Sequence, residues 1–138
     1  MKKFLSSLIV MLIVTFSANI CAARHYNVYD YDPNYVWVFT QGSGGFSTYL
    51  YLPSIDVQEY NPPHYQIAGN FVTIGGKETS EVWGIFVLRF NWYTKETFWR
   101  DEYGNWQKED VNGSFGKDWR RRADALFRAA YGIDFYGY

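Results

Sequence analysis

The side chains of this sequence best suited to bind a metal are two histidines and a few nearby carboxylates. His25 and His64 are the only histidines, and they lie in separate irregular segments. A zinc site would need both, with Asp30 or Asp32 as further ligands, yet the sequence has no HxH or HxxxH spacing. Isolated histidines commonly serve as ordinary loop residues. We therefore predict no metal site, and we find no motif for a cofactor.

A hydrolytic triad could be assembled from Ser54, His64 and Asp56. A serine nucleophile needs an elbow that exposes its hydroxyl, and the sequence around Ser54 has none. A serine directly after Pro53 is typical of a turn, in which the hydroxyl binds the local backbone. We predict a structural role for this serine.

Carboxylates that could act as a glycosidase pair occur at Glu96, Asp101 and Glu102. They fall at expected hairpin tips, which are solvated, so nothing there would favour a protonated acid. Lys95 and Arg100 are close in sequence and favour plain surface charge pairing. We therefore predict no catalytic residue and a protein that is not an enzyme.

Tyrosines are the most promising binding residues. A strand that alternates Tyr49 and Tyr51 with leucines has one more polar face, and further tyrosines flank a Pro-Pro-His turn. If that face is exposed, Tyr49, Tyr51, Tyr60, His64 and Tyr65 could form a stacking or interface patch. The alternative is that these rings cover the edge of the core with their hydroxyls in water.

The amino-terminal residues have the pattern of an export signal. Lys2 and Lys3 precede an apolar run, and small residues follow up to Ala23. We predict a signal peptide over residues 1–23 and one exported domain over residues 24–138, located in the periplasm or at the cell surface. The apolar run is short for a membrane span, although a retained anchor is the alternative. Cys21 is the only cysteine; its lipidation stays open because a bulky Ile20 precedes it.

The charge and aromatic content of the chain limit its partners and its fold. Without Lys2 and Lys3, 11 basic residues face 14 acidic residues, so no electrostatic attraction to nucleic acid or to an anionic membrane is expected. Aromatic residues make up 22% of the sequence. Such large rings allow a single domain of this length to build a stable core.

The expected elements are those of an α+β fold: an antiparallel meander sheet of about five to six strands with one carboxy-terminal helix packed on one face. Lys117 to Tyr131 has a helical apolar stripe, with Gly132 at the cap position and Ile133 able to fold back on the last turn. Strand candidates precede it. The longest, Glu81 to Trp92, is apolar throughout its first half, which predicts a central strand covered on both faces.

Three tryptophans recur at seven-residue intervals within this meander: Trp92, Trp99 and Trp106. If Thr94-Lys95 and Tyr103-Gly104 are two-residue hairpin tips, all three rings lie on one face of the sheet. The helix is predicted to cover that face. A slip of one residue at either tip would move a ring to the other face.

Five stretches resemble the surface-adhesin protein E family of small exported bacterial proteins: YVWVF, YLYLPSI, YNPPHYQIAGN, FNWYTKETFW and AAYGIDFYG. They are distributed over most of the chain after residue 23, from residue 35 to residue 137. The resemblance implies a compact sheet-and-helix domain at the periplasm or cell surface, and for some members binding of host matrix proteins. This chain lacks the cysteine pair that closes the domain in part of the family.

Three functions remain open after these observations. The preferred one is a non-catalytic binding or adhesion-type module whose partners are host matrix proteins or glycans. The alternatives are a periplasmic enzyme or enzyme inhibitor that acts on envelope polymers, and an envelope protein that assembles with itself through a sheet edge. A pocket that joins His64 to a carboxylate would favour the enzyme.

Overall fold

A computed structural model of the chain describes residues 28–42, 45–75 and 81–137. Its elements are a short 3-10 helix (Val28–Asp30), the strands β1 (Tyr35–Gln41), β2 (Phe46–Asn61), β3 (His64–Ile74), β4 (Glu81–Asn91), β5 (Glu96–Arg100) and β6 (Trp106–Lys108), and the helix α1 (Gly116–Tyr131). The strands form one six-stranded antiparallel sheet in chain order. The predicted α+β meander with a carboxy-terminal helix is confirmed. The predicted signal, with Cys21, and His25 lie outside the described residues.

The core lies between α1 and one face of the sheet. Alternation along each strand places large apolar residues on this face, and the helical stripe of α1 meets them. The buried members are Leu50, Ile67, Phe71, Leu88, Phe90, Ala123, Ala125, Leu126, Phe127 and Phe135. Among the described residues the opposite face of the sheet has no α-helix over it, although the 3-10 helix contacts Tyr49 at the β1 end of this face.

A glycine in β3 lets the helix approach the sheet closely. A Cβ atom on Gly69 would lie only 2.6 Å from Leu126 Cδ2 and 3.1 Å from Ile55 Cδ1. Leu126 has no exposed surface. The absent side chain at Gly69 therefore forms the hole that Leu126 fills.

The segment after α1 folds back onto the sheet. Gly132 ends the helix with a φ of 76° and donates its N–H to the carbonyl of Arg128 at 2.8 Å, as the cap prediction requires. The residue that returns to the core is Phe135, which is 1% exposed, whereas Ile133 is 52% exposed. The prediction for Ile133 was wrong because the larger ring, two positions later, fills the space beside Phe90 and Trp92.

Hydrogen bonds hold this returning segment in place. The backbone N–H of Tyr136 donates to Asp124 Oδ1 at 2.6 Å, and Asp124 is only 2% exposed. Lys95 Nζ donates to the carbonyl of Phe135 at 2.9 Å. Thr97 Oγ1, which is buried, bonds to the Tyr136 hydroxyl and accepts from Trp119 Nε1. The tail, the helix and the β4–β5 hairpin are thus joined at one place.

The prediction that the three tryptophans share one face was only partly right. Leu88 pairs with Trp99 across β4 and β5, so the loop of residues 92–95 is two residues longer than predicted. A shift of two keeps Trp99 on the face of Trp92. Trp106, however, pairs with Arg100 and lies on the opposite face.

The cause of this slip is the loop between β5 and β6. Asp101 Oδ1 accepts the backbone N–H groups of Tyr103 and Asn105 at 3.0 and 2.8 Å, and Gly104 has a φ of 85°. These contacts stabilise a five-residue loop in place of the predicted two-residue turn. The observed and predicted loops differ by an odd number of residues, so the Trp106 side chain lies on the opposite face of the sheet from the predicted one.

The prediction that the first half of β4 is covered on both faces was also wrong. β5 pairs only with residues from Leu88 to Asn91, so it leaves the earlier part of β4 without a neighbour on that side. Val82 and Ile85 are 66% and 75% exposed, and Ile85 lies on the face that α1 leaves uncovered. A continuous apolar run is typical of a covered strand but does not show how long its neighbouring strand is.

Candidate functional site

The predicted binding residues lie in three different places. Tyr49 and Tyr51 lie on the face opposite α1, at the β1 end of the sheet, while Tyr60 and Tyr65 contact the helix side. His64 lies at the start of β3 and lines a groove. The structure therefore does not bring these five residues into one patch.

Tyr49 and Tyr51 belong to an aromatic cluster over the uncovered face. Tyr49 is 1% exposed, and its hydroxyl donates to Asp30 Oδ1 at 3.2 Å. The ring centroid of Tyr51 lies 4.9 Å from that of Tyr35 and 6.4 Å from that of Trp83. Here the rings cover this end of the sheet.

Tyr60 and Tyr65 form a second cluster at the carboxy-terminal end of α1. Their ring centroids are 5.7 Å apart in an edge-to-face arrangement. Tyr65 also packs against Phe127 and Tyr131, at 5.2 and 5.3 Å. Tyr60 is 68% exposed, so its ring is largely open to solvent.

The uncovered face also contains a groove of about 480 Å³, near the β2–β3 turn. Its lining residues are Glu59, His64, Tyr65, Arg89, Asn91, Phe98 and Trp106. The register of β3 to β6 puts Arg89 and Phe98 side by side, on the face opposite the buried Leu88 and Phe90. The groove thus contains two of the predicted residues, His64 and Tyr65.

Arg89 is held in this groove by a stack and by a chain of side-chain hydrogen bonds. Its Cζ lies 4.2 Å from the centroid of the Trp106 ring, a cation–π contact. Its Nε donates to Gln66 Oε1 at 2.8 Å. Gln66 in turn donates to Gln58, and Gln58 donates to Asp56. A guanidinium fixed on both sides presents its remaining N–H donors in a defined direction.

The groove combines aromatic rings with both hydrogen-bond donors and hydrogen-bond acceptors. Trp106 and Phe98 supply aromatic surface, Arg89 supplies donors, and Glu59 supplies acceptors, while Asn91 and His64 can do either. A few directional polar groups beside aromatic surface are typical of small-ligand sites.

Among residues 28–42, 45–75 and 81–137, no three His, Cys, Asp or Glu side chains are close enough to hold an ion. His25 is not among them. In the same ranges no helix is long and apolar enough to cross a membrane.

Ser54 and Asp56 of the possible triad have structural partners. Ser54 Oγ donates to the carbonyl of Tyr51 and accepts the N–H of Asn70, at 2.6 and 2.7 Å. Asn70 lies six positions along β3 from His64, which is about 20 Å at the rise of a β-strand. Ser54 therefore stabilises the irregularity in β2 and lies far from His64.

The carboxylates at the hairpin tips are also engaged. Lys108 Nζ binds Glu96, and hydrogen bonds from Lys108 and then Thr94 hold the Glu96 pKa below its ordinary value. Asp101 caps its own loop. Glu96 and Lys108 line a second groove, of about 490 Å³, at the edge of the sheet.

The sequence reasoning missed five of the groove residues: Glu59, Arg89, Asn91, Phe98 and Trp106. The available signal was the alternation of β5 and β6, which depends on the length of the loop between them. Asp101 followed by Tyr103-Gly104-Asn105 can form either a two-residue or a longer loop. With the longer loop, alternation alone would have placed Trp106 beside Arg89.

Ionisation of Tyr29 is expected to reduce stability at alkaline pH. Burial, and after it the hydrogen bond to Glu81, raises the pKa of Tyr29 from 10.0 to about 12. The unfolded chain loses this proton at the ordinary value, so stability from Tyr29 is complete below pH 10.0 and lost as the pH rises to about 12. We expect the Tyr29→Phe variant to lose less stability across this window, measured by urea unfolding.

The matched control for Tyr29 is Tyr103→Phe, because Tyr103 is 82% exposed in a loop. This variant should follow the wild-type pH dependence. Equal loss of stability in Tyr29→Phe and in the wild type would contradict the assignment.

Comparison with family models, curated proteins and solved structures gives no match to this chain.

Proposed function

We propose that this protein is an exported, non-catalytic binding module of the adhesion type, and that the groove around Trp106 binds its ligand. The observation that carries the proposal is that groove, which lies on the sheet face that α1 leaves uncovered. The signal-like residues 1–23 and the family resemblance of the later stretches support the exported location.

The large rings of the groove support a binding role because the fold does not use them in its main core. The core between α1 and the sheet contains neither Trp106 nor Phe98. Both side chains are half-buried, so each retains surface for a ligand. Aromatic residues at the centre of a recessed surface are the common anchors of binding sites.

The chemistry of the groove favours a glycan. Its one arginine and its one glutamate give no net charge, counting His64 as neutral. Sugar rings present C–H groups to an aromatic face and hydroxyls, which both donate and accept, to polar side chains. A neutral glycan, free or carried on a matrix glycoprotein, uses all of these groups. Such a ligand is expected to bind with little dependence on salt.

Replacing Trp106 with alanine is expected to weaken ligand binding at least about tenfold, since truncation of an aromatic anchor typically costs more than about 1–2 kcal/mol. The measurement is a glycan array with host matrix proteins included, followed by calorimetric titration of each ligand found. Circular dichroism should show that the variant is folded.

The matched control is Tyr103→Ala, which removes an exposed ring from the adjacent loop outside the groove. It should bind as the wild type does. Absence of binding across the panel, or equal binding by Trp106→Ala and the wild type, would contradict the proposal.

A second candidate function is hydrolysis of an envelope polymer. The observation that favours it is that His64 and Glu59 line the same groove, so a histidine and a carboxylate share one site. The discriminating readout is the appearance of new reducing ends when the wild-type protein is incubated with purified envelope polymers. Products that disappear with Glu59→Gln would support the enzyme over the binding module.

A further inference from the structure

The first half of β4 has a free backbone edge. β3 pairs with β4 along its whole length, from Glu81 to Asn91, whereas β5 pairs only with the part that begins at Leu88. No backbone hydrogen bond from the described residues occupies the remaining edge. A row of unpaired N–H and C=O groups is a template for another strand.

The direction of these backbone groups follows from the ladder between β3 and β4. Trp92 donates its N–H to the carbonyl of Pro63 on the β3 side. Residues two apart along a strand direct their backbone groups to the same edge, and their neighbours to the other. The N–H and C=O groups of Trp83 and Ile85 therefore point outward.

The side chains at this edge are apolar and exposed. Val82, Trp83 and Ile85 are 66%, 47% and 75% exposed. Soluble proteins normally protect an edge with charged residues or proline. The described residues of β4 between Glu81 and Arg89 carry neither.

Besides the outermost strands β1 and β6, the second half of β2 has an open edge, which is protected in the usual way. β1 pairs only with the first part of β2, up to Tyr51. The second half of β2 therefore lacks a neighbouring strand on the side away from β3. That half carries Asp56, Gln58 and Glu59, and a Pro-Pro turn follows it. Charged side chains thus mark this stretch of β2 and are missing from the apolar edge of β4.

We propose that two copies of this chain associate through this edge, with their β4 strands paired antiparallel about a two-fold axis at Gly84. In this register Trp83 of each copy faces Ile85 of the other, and Val82 faces Phe86. The same surface serves on both copies, and the association closes at a dimer. The two sheets become one continuous sheet, as in β-strand addition.

Charge complementarity favours a second copy that pairs antiparallel at the β4 edge over one that pairs parallel. In the proposed register Glu81 of one copy comes to the end of β5 in the other, on the face that carries Arg89 and Arg100. These arginines share a face because Arg89 pairs with Phe98, two residues before Arg100. A parallel copy would place Glu81 beside a second Glu81, which is unfavourable.

The first test is the oligomeric state of the chain, purified after expression of the full sequence, by sedimentation equilibrium. We expect a dimer, and we expect Ile85→Lys to shift it to a monomer, because the substitution places like charges close to the two-fold axis. Ile85 is exposed, so the variant should keep the wild-type far-UV circular dichroism spectrum.

Val57→Lys is the matched control, because Val57 is 43% exposed on the second half of β2. It should remain a dimer. A wild-type monomer, or a dimer that Val57→Lys breaks while Ile85→Lys does not, would overturn the proposal.

A cross-link tests the register even where a charged variant fails to fold. In a Cys21→Ser background, Gly84→Cys should give a disulfide-linked dimer under mild oxidation, since facing residues of a non-hydrogen-bonded pair have close Cβ atoms. Val82→Cys should not, because its symmetry mate lies about four residues, or roughly 13 Å, away along the strands. Equal cross-linking of both variants would reject the register.

Discussion

The Phe135→Ala variant is expected to lower the free energy of unfolding by about 3–5 kcal/mol, the usual cost of removing a buried phenylalanine. The ring is 1% exposed and lies 5.0 Å from the centroid of Phe90 and 5.3 Å from that of Phe127. The backbone carbonyl of Phe135 also accepts the hydrogen bond from Lys95. Without the ring, the returning tail has no apolar anchor. Urea unfolding followed by far-UV circular dichroism measures the loss.

Ile133→Ala is the control for this prediction. It truncates an apolar side chain in the same tail, but one that is 52% exposed, so its effect should stay within about 0.5 kcal/mol. Similar losses from the two variants would show that the tail does not insert Phe135 into the core.

A double-mutant cycle tests the close contact of α1 with β3. Leu126→Ala should cost about 2–5 kcal/mol, because it empties a fully buried position. Gly69→Ala should cost about 1–3 kcal/mol, because its new methyl group would lie 2.6 Å from Leu126 Cδ2. In the double variant the methyl group occupies part of the space that Leu126 leaves.

The double variant is therefore expected to lose less stability than the sum of the single variants, by more than about 0.5 kcal/mol. Chemical denaturation of the four proteins under identical conditions provides the cycle. Strict additivity would mean that the helix does not pack on β3 at Gly69. Ala125→Gly, at a less buried helix position, should show no coupling with Gly69→Ala.

The sequence predicted the parts of the fold that depend on local patterns. The apolar stripe from Trp119 to Tyr131 and the cap at Gly132 are local signals, and the structure has both features. The meander followed from strands separated by short turns. The helix started at Gly116, one residue before the predicted start, which is within the usual uncertainty of helix ends.

The sequence did not predict features that depend on loop length and on neighbouring strands. The face of Trp106 depends on whether the loop after Arg100 has an even or an odd length, and Asp101 decides this through its side-chain hydrogen bonds. The free backbone edge of β4 depends on where β5 ends. Both errors concern surfaces proposed to be functional. Because of the first error the sequence did not predict the groove, and because of the second it did not predict the free edge of β4.

The meander order has a consequence for how the chain folds. Each strand pairs with its neighbour in sequence across a short connection, so the entropy lost on closing each loop is small. The contact between Gly69 and Leu126 joins distant parts of the chain and costs more to close. We expect the hairpins to form early and the helix to dock late. Until it docks, the nascent sheet exposes its apolar face, and chaperone protection matters most in that interval.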